Sequence, residues 1–338
     1  MEGLRVIGWF GRRNAGDEAF RDVHKLLLPG VPMSWFHSQG GPAFQPELPL
    51  RDDIVLVSAG DIVSPFYFDQ IPPSARIVVY GVGIAWPPQI DFLAKFKDRL
   101  VAAWVRNERD VPPLRQHGLK AFYTPDIVFN LAGSVKPNSE RIGKSRVYVI
   151  ISDNQRADSL RTNDLRRFFH IQSFFSELAA GIEYLQEWYD VTLVPFSFDK
   201  NDFDIAAIFD LLPRIPSHES VEIVEREMDF AEMIQFIGRG DLIITTKFHG
   251  VVYALMNKIP FVAISDARKT RFICEDNGFD AQWLPATGMS LAAFKAAVTN
   301  AKSPEACHRM QTAFDSLTQR AKSEADRFTE TMMAVLSP

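Results

Sequence analysis

Two cysteines, Cys274 and Cys307, are all that a chain of 338 residues carries. Neither sits in a C-x-x-C pair, which argues against zinc ribbons and disulfide scaffolds. Long apolar runs are missing too: none approaches the roughly 18 residues that a bilayer span needs. No charge sign dominates, since the net charge is -5 at pH 7. With a pI near 5.8, this argues against a general nucleic-acid binder, which carries a basic bias. Internal repeats and low-complexity tracts are absent. The opening stretch "MEGLRVIGWFGRR" has an acid at position two and a short apolar run broken by glycines. It is expected to be a first strand rather than a signal peptide, and the protein is expected to be cytoplasmic.

What is present is apolar content of 46%, enough for one or two cores, with 27 phenylalanines. The segments "LRVIGWF", "DIVLVSAG", "ARIVVYGVG" and "LVAAWVR" are short, β-branched and nearly continuous in apolar character. Strands of a parallel sheet covered on both faces read this way. Helical patterns lie between them at Asp17 to Leu28, Pro88 to Lys97 and Glu108 to His117, the last stopped by Gly118. The polar stretch "GSVKPNSERIGKS", Gly133 to Ser145, reads as a linker.

The rhythm then restarts. "RVYVIIS", "VTLVPFS", "VEIVE", "DLIITT" and "PFVAIS" are strand candidates, and Asp164 to Trp188, "DIAAIFDLL" and "FAEMIQFIGRG" are helix candidates. From Ser290 onward the pattern is helical without strands. The expected architecture is α/β: two Rossmann-like domains with parallel sheets, a cleft between them, and a C-terminal helical tail. The boundaries expected are 1–140, 141–289 and 290–338, the last packing on one domain or crossing between them.

Three stretches carry candidate chemistry. At the first strand-to-helix junction, "GWFGRRNAGDEAF" has the outline of a phosphate loop without the G-x-G-x-x-G spacing. Asp17 and Glu18 in the first helical turn either complement the helix dipole or, with Asn14, form a polar pocket. Two carboxylates would repel a pyrophosphate and suit sugar hydroxyls, or one could act as a base. In "WVRNERD", Arg106 follows a buried strand directly, at the edge where open α/β sheets bind ligands. Glu108 and Arg109 read as surface residues. In "TTKFHGVVYALMNKIPFVAIS", Thr245 and Thr246 are expected to cap a helix that begins with Lys247, Phe248 and His249, its buried face being Val251, Val252, Leu255 and Met256. The next strand ends in "DARK", so Lys269 returns to the same edge. Lys247, His249 and Lys269 can converge there on a small anion. No cluster of metal-ligand spacing accompanies them.

Taken in order, these residues resemble the polysaccharide pyruvyl transferase family, the ketal-forming enzymes of bacterial surface glycans and their yeast relatives. The matching stretches are "GWFGRRNAGDEA", "YGVGI", "VRNER", "TPDIVF", "KFHGVVYA", "KIP" and "DARK", spread over most of residues 4 to 270. The resemblance implies a GT-B-like fold, phosphoenolpyruvate as co-substrate with no cofactor or metal, and a sugar or glycan acceptor with two suitable hydroxyls. It leaves open whether that acceptor is lipid-linked and whether the protein is peripheral to the inner membrane. It implies a donor set of Arg106, Lys247, His249 and Lys269. It also implies catalytic parts for His249 and for Asp17 or Glu18, with Asn14, Asp17 and Glu18 facing the acceptor or the cleft. The family usually has Arg where this chain has Lys247, and lysine lacks the planar fork that grips an anion at two points. The rival expectations are a GT-B glycosyltransferase using a nucleotide sugar and a non-catalytic glycan- or anion-binding homologue.

Overall fold

A computed structural model describes residues 2–37, 49–134, 145–152, 165–199 and 204–337. The expected linker falls largely on residues 135–144 and the first domain boundary on 140/141, both outside the described residues. The chain divides into two compact units. Unit 1 is Met1–Arg12, Gly16–Gly133 and Ser316–Pro338; unit 2 is Arg13–Ala15 and Ser134–Asp315. The helical tail is thus shared out: its earlier residues belong to unit 2 and those from Ser316 to unit 1.

Unit 1 is built on β1 (Gly3–Ile7), β2 (Met33–Phe36), β3 (Leu50–Ser58), β4 (Arg76–Val82), β5 (Leu100–Val105) and β6 (Ala121–Tyr123). They form one parallel sheet in the order β2-β1-β3-β4-β5-β6. The apolar runs became strands because side chains alternate between two covered faces. One face packs Val55, Val57, Ile77, Val79, Ala103 and Val105 against the helices α2 (Pro65–Phe68), α3 (Pro88–Ala94) and α4 (Val111–Gln116). The helix expected over Glu108 to His117 is instead a 3₁₀ turn, Glu108–Asp110, followed by α4. Pro112 and Pro113, lacking N–H groups, suit a first helical turn and restart the helix there.

The other face of this sheet holds an aromatic layer. α1 (Ala15–Leu27) brings His24, whose imidazole lies between Trp35, Tyr80 and Phe328 at 5.9–6.1 Å between centroids. Phe328 stacks on Tyr80 at 3.8 Å, and Trp104 donates its indole N–H to the buried Glu324 at 3.1 Å. Phe328 and Glu324 come from the last helix, so the end of the chain completes unit 1's core.

Unit 2 repeats the plan with β7 (Arg146–Ile150), β8 (Asp190–Leu193), β9 (Glu222–Ile223), β10 (Leu242–Thr245), β11 (Phe261–Ile264) and β12 (Trp283–Leu284). Their order is β12-β11-β10-β7-β8-β9, all parallel. Its helices are α5 (Leu165–Gln186), α6 (Asp204–Leu211), α7 (Phe230–Ile237), α8 (Phe248–Asn257), α9 (Arg268–Asp276) and α10 (Leu291–Ala301), and α11 (Pro304–Leu336) begins here. Asp229 accepts from Glu232 N, and Glu232 reaches back to Asp229 N, a capping box that starts α7. α8 is buried from Phe248 through Met256, on every side rather than on the one face expected. β2, β6 and β12 escaped the sequence pattern because MSWF, AFY and WL hold no β-branched residue. Among the described residues, no helix is long and apolar enough to cross a membrane.

Candidate functional site

In each unit the polar side chains gather where the parallel strands end in their carboxyl-terminal loops, the ligand edge of such sheets.

In unit 2, β10 ends at Thr245 and α8 begins at Phe248. The threonines were expected to cap this helix, but they do not. Thr245 Oγ1 accepts from Lys247 N and donates to Lys247 O, both at 3.0 Å, while Thr246 Oγ1 accepts from Ser152 N. Lys247 itself takes the N-cap position in extended conformation, and its side chain makes no capping bond. That side chain turns to Asp204 at the start of α6, with Nζ 2.6 Å from Oδ2. The same carboxylate oxygen accepts Phe196 N at 2.9 Å and Ser197 N at 3.0 Å. Asp204 is fully buried and Lys247 nearly so, and three donors on one oxygen explain how the charge is tolerated there.

His249 stands in the first turn of α8, 8% exposed, its ring beside Phe248 at 5.5 Å and Tyr253 at 6.5 Å. The turn can approach the strand end this closely only because residue 250 is glycine. A Cβ there would lie 2.1 Å from Thr245 Oγ1. Gly250→Ala is therefore expected to push α8 away from β10 and to destabilise the protein by about 1–3 kcal/mol, as overpacking does. Thermal unfolding of the variant checks this, and an unchanged midpoint would refute it. Lys269, in the first turn of α9, lies with Nζ 5.7 Å from the centre of the Phe248 ring. The structure thus brings His249 and Lys269 together at Phe248, while Lys247, at the same strand end, turns its ammonium to Asp204. The neighbouring Asp266 is occupied by Thr287, accepting from its N–H and hydroxyl.

Asn14 also belongs to unit 2, apart from Asp17 and Glu18. Arg13–Ala15 lies along the segment after β8: Ala15 N donates to Phe196 O at 2.9 Å, Phe198 N to Arg13 O at 3.2 Å, and Asn14 pairs with Ser197 in an antiparallel bridge. Tyr253 Oη of α8 donates to Ala15 O at 2.9 Å.

In unit 1, Arg106 follows β5 and is held between two carboxylates. Nη2 lies 2.8 Å from Asp61 Oδ1 and Nη1 3.1 Å from Asp126 Oδ2, and the side chain is 1% exposed. Burial alone would lower its pKa, but Asp61, Asp126 and Asp17 outweigh it and hold the guanidinium charge above its ordinary range. Asp17 is buried, and Asp126 Oδ1 further accepts Val128 N at 3.0 Å. Three carboxylates thus act on one cation at this edge. Glu18 Oε1 accepts Gly11 N at 2.6 Å and Arg12 N at 3.1 Å, and Oε2 pairs with Arg21 at 3.3 Å. Burial pushes its carboxyl pKa up, opposed by Arg21 and these two amides. Glu108 and Arg109 are exposed, as surface residues.

Asp61, Asp126 and Asp204 were not singled out from the sequence. Asp61 and Asp126 each lie a few residues past a strand, in "SAGD" and "TPD", and Asp204 opens a helix, so position was their only signal. Among the described residues, no three or more His, Cys, Asp or Glu gather as a metal site.

The fold is shared with solved sugar-nucleotide enzymes. The UDP-GlcNAc 2-epimerase of Methanocaldococcus jannaschii, in complex with UDP-GlcNAc and UDP, is 12% identical, with a TM-score of 0.57 over 90% of this chain and 93% of that one. The Neisseria meningitidis UDP-GlcNAc 2-epimerase bound to UDP-GlcNAc is 10% identical, with a TM-score of 0.60 over 98% and 100%. The S. aureus MnaA–UDP structure is 12% identical, with a TM-score of 0.61 over 92% and 91%. At such identities the likeness speaks for the fold alone: GT-B-like, two parallel-sheet α/β domains with a helical tail. No curated protein sequence matches the chain. The family model described as polysaccharide pyruvyl transferase matches residues 9–267, well over half the chain, and spans every candidate site residue read from the sequence except Lys269. The chain belongs to the polysaccharide pyruvyl transferase family.

Proposed function

We propose that the protein transfers pyruvate from phosphoenolpyruvate to two hydroxyls of a sugar in a surface polysaccharide or its precursor, forming a ketal and releasing phosphate. The observation that carries this reading is the meeting of His249 and Lys269 at Phe248, each in the first turn of its own helix. Two helix N-termini, a cation and an imidazole suit a small, highly charged anion. An acid protonates the methylene carbon of the donor, and the cationic centre at C2 is attacked by a sugar hydroxyl, which loses its proton. The C2–O bond to phosphate breaks, and the second hydroxyl closes the ketal. His249 supplies the proton or binds the leaving phosphate, since an imidazole can act as a proton donor or as a hydrogen-bond donor to an anion. Lys269 neutralises donor charge, with Lys247 at the same edge. The carboxylate-rich edge of unit 1 suits an acceptor's hydroxyls, with Asp17 as the candidate to take a proton. Arg106, engaged by Asp61 and Asp126, sets the shape of that edge.

The test is release of inorganic phosphate from phosphoenolpyruvate in the presence of candidate glycans. His249→Gln is expected to lower the rate about a hundredfold, the lower range for a lost general acid. If no acceptor yields phosphate and calorimetry shows no phosphoenolpyruvate binding, the reading fails. The structural neighbours bound to UDP or UDP-GlcNAc favour a second reading, a nucleotide-sugar transferase. It is separated from the first by which ligand, phosphoenolpyruvate or UDP-GlcNAc, raises the melting temperature.

A further inference from the structure

The loop after β1 has the form of an anion-binding nest that is already filled. Gly11, at φ +70, and Arg12 turn successive backbone N–H groups toward one point, and Glu18 Oε1 sits there at 2.6 and 3.1 Å. Successive amides converging on one oxygen are how phosphate loops hold a phosphate. Here the negative charge comes from seven residues further along the same chain. Arg21 closes the far side through Oε2. The Arg12 guanidinium lies 5.1 Å from the Trp9 ring, so amide and side chain of that residue are both fixed.

We infer that Glu18 is a positioning residue, an internal stand-in for a phosphate that holds the Gly8–Arg12 loop and keeps phosphate out of it. A carboxylate whose oxygens already serve two amides and a guanidinium has little capacity left to take a substrate proton. The residue beside it, Asp17, contributes to holding the charge on the Arg106 guanidinium. The consequence for specificity is that unit 1 meets its acceptor through hydroxyls, with no phosphate group seated at this loop. This last step rests on the pyruvyl-transfer reading; the filling of the nest does not.

The experiment pairs Glu18→Ala with Glu18→Gln. In Glu18→Ala the vacated nest takes a small anion, so formate or acetate raises the melting temperature saturably, by about 2–4 °C beyond the wild type's response. The amides of Gly11 and Arg12 regain slow hydrogen exchange under the same titration. An Ala variant with the wild type's anion response overturns the inference. In Glu18→Gln the side-chain carbonyl keeps both amide bonds. Any loss of transfer activity is therefore expected in the acceptor KM rather than in kcat. A loss of about 10²–10⁴-fold in kcat would make Glu18 the base and overturn the inference from the other side. If Glu18→Ala does not fold, exchange at Gly11 and Arg12 in Glu18→Gln decides, and protection lost there refutes the positioning role. Failure of every acceptor in the phosphate assay would sink the function reading while leaving the formate titration to judge the nest.

Discussion

Lys247→Ala is expected to destabilise unit 2 by about 3–5 kcal/mol, the usual cost of stripping one partner from a buried ion pair. The magnitude follows from what is left behind. Asp204 is wholly buried, and its Oδ2 would keep two amide donors but lose the ammonium 2.6 Å away. The substitution also loosens the turn at Phe196 and Ser197, against which Arg13–Ala15 is laid. The double variant Lys247→Met, Asp204→Asn should recover most of the loss. An amide oxygen still accepts from Phe196 and Ser197, and no unpaired charge remains. Urea unfolding of Lys247→Met, Asp204→Asn and the double variant provides the cycle, with Lys247→Ala measured beside them. A Lys247→Ala midpoint within 1 kcal/mol of wild type would show that the pair is solvated and unimportant. The family's usual arginine is the informative third substitution. Lys247→Arg tests whether Asp204 tolerates a bulkier fork or whether lysine is there to fit this carboxylate.

The second large effect is one of pH. His24 is fully buried, and burial pushes its imidazole down to about 3 from an ordinary 6.5. Ser58 Oγ donates to Tyr80 O at 2.6 Å, so the imidazole Nε2–H donates to Ser58 Oγ at 2.8 Å, and among the described residues no hydrogen-bond partner meets Nδ1. The folded chain therefore holds this residue neutral at a pH where the unfolded chain protonates it. Below about pH 6.5 the unfolded state binds the extra proton, and stability falls with pH. At roughly 1.4 kcal/mol per unit, His24 removes about 2 kcal/mol between pH 7 and pH 5 and about 4–5 kcal/mol by pH 3. Above pH 6.5 it removes nothing. His24→Gln, whose amide can still meet Ser58, should flatten that part of the slope whatever it does to stability at pH 7. The check is the difference between wild-type and variant urea midpoints at pH 7 and pH 5. Parallel pH dependences would mean that the imidazole is protonated without cost and that the aromatic layer admits water.

Much of this molecule is legible from one sequence. The central strands β1, β3, β4, β5, β7 and β10 could be read off because burial on both faces favours apolar, β-branched runs. Lys247, His249 and Lys269 could be placed at one edge because consecutive βα units return the chain to the same side of a parallel sheet. The edge strands β2, β6 and β12 could not, since MSWF, AFY and WL hold no β-branched residue to signal a strand. The partners of the charged residues were equally hidden. Asp204 is 43 positions from Lys247, and Asp61 and Asp126 are 45 and 20 from Arg106.

The sequence by itself determined the α/β class, the two parallel sheets and the stretches that hold the chemistry, because hydrophobic periodicity and helix-end residues act over a few neighbours. Tertiary structure alone decided which charges are already spent. It turned Arg106 inward to two carboxylates, tied Lys247 to Asp204, seated Glu18 in the loop before it and moved Asn14 into the other unit's sheet edge. Ion pairs and hydrogen bonds form between atoms a few ångströms apart, and separation along the chain says nothing of that distance until the chain has folded.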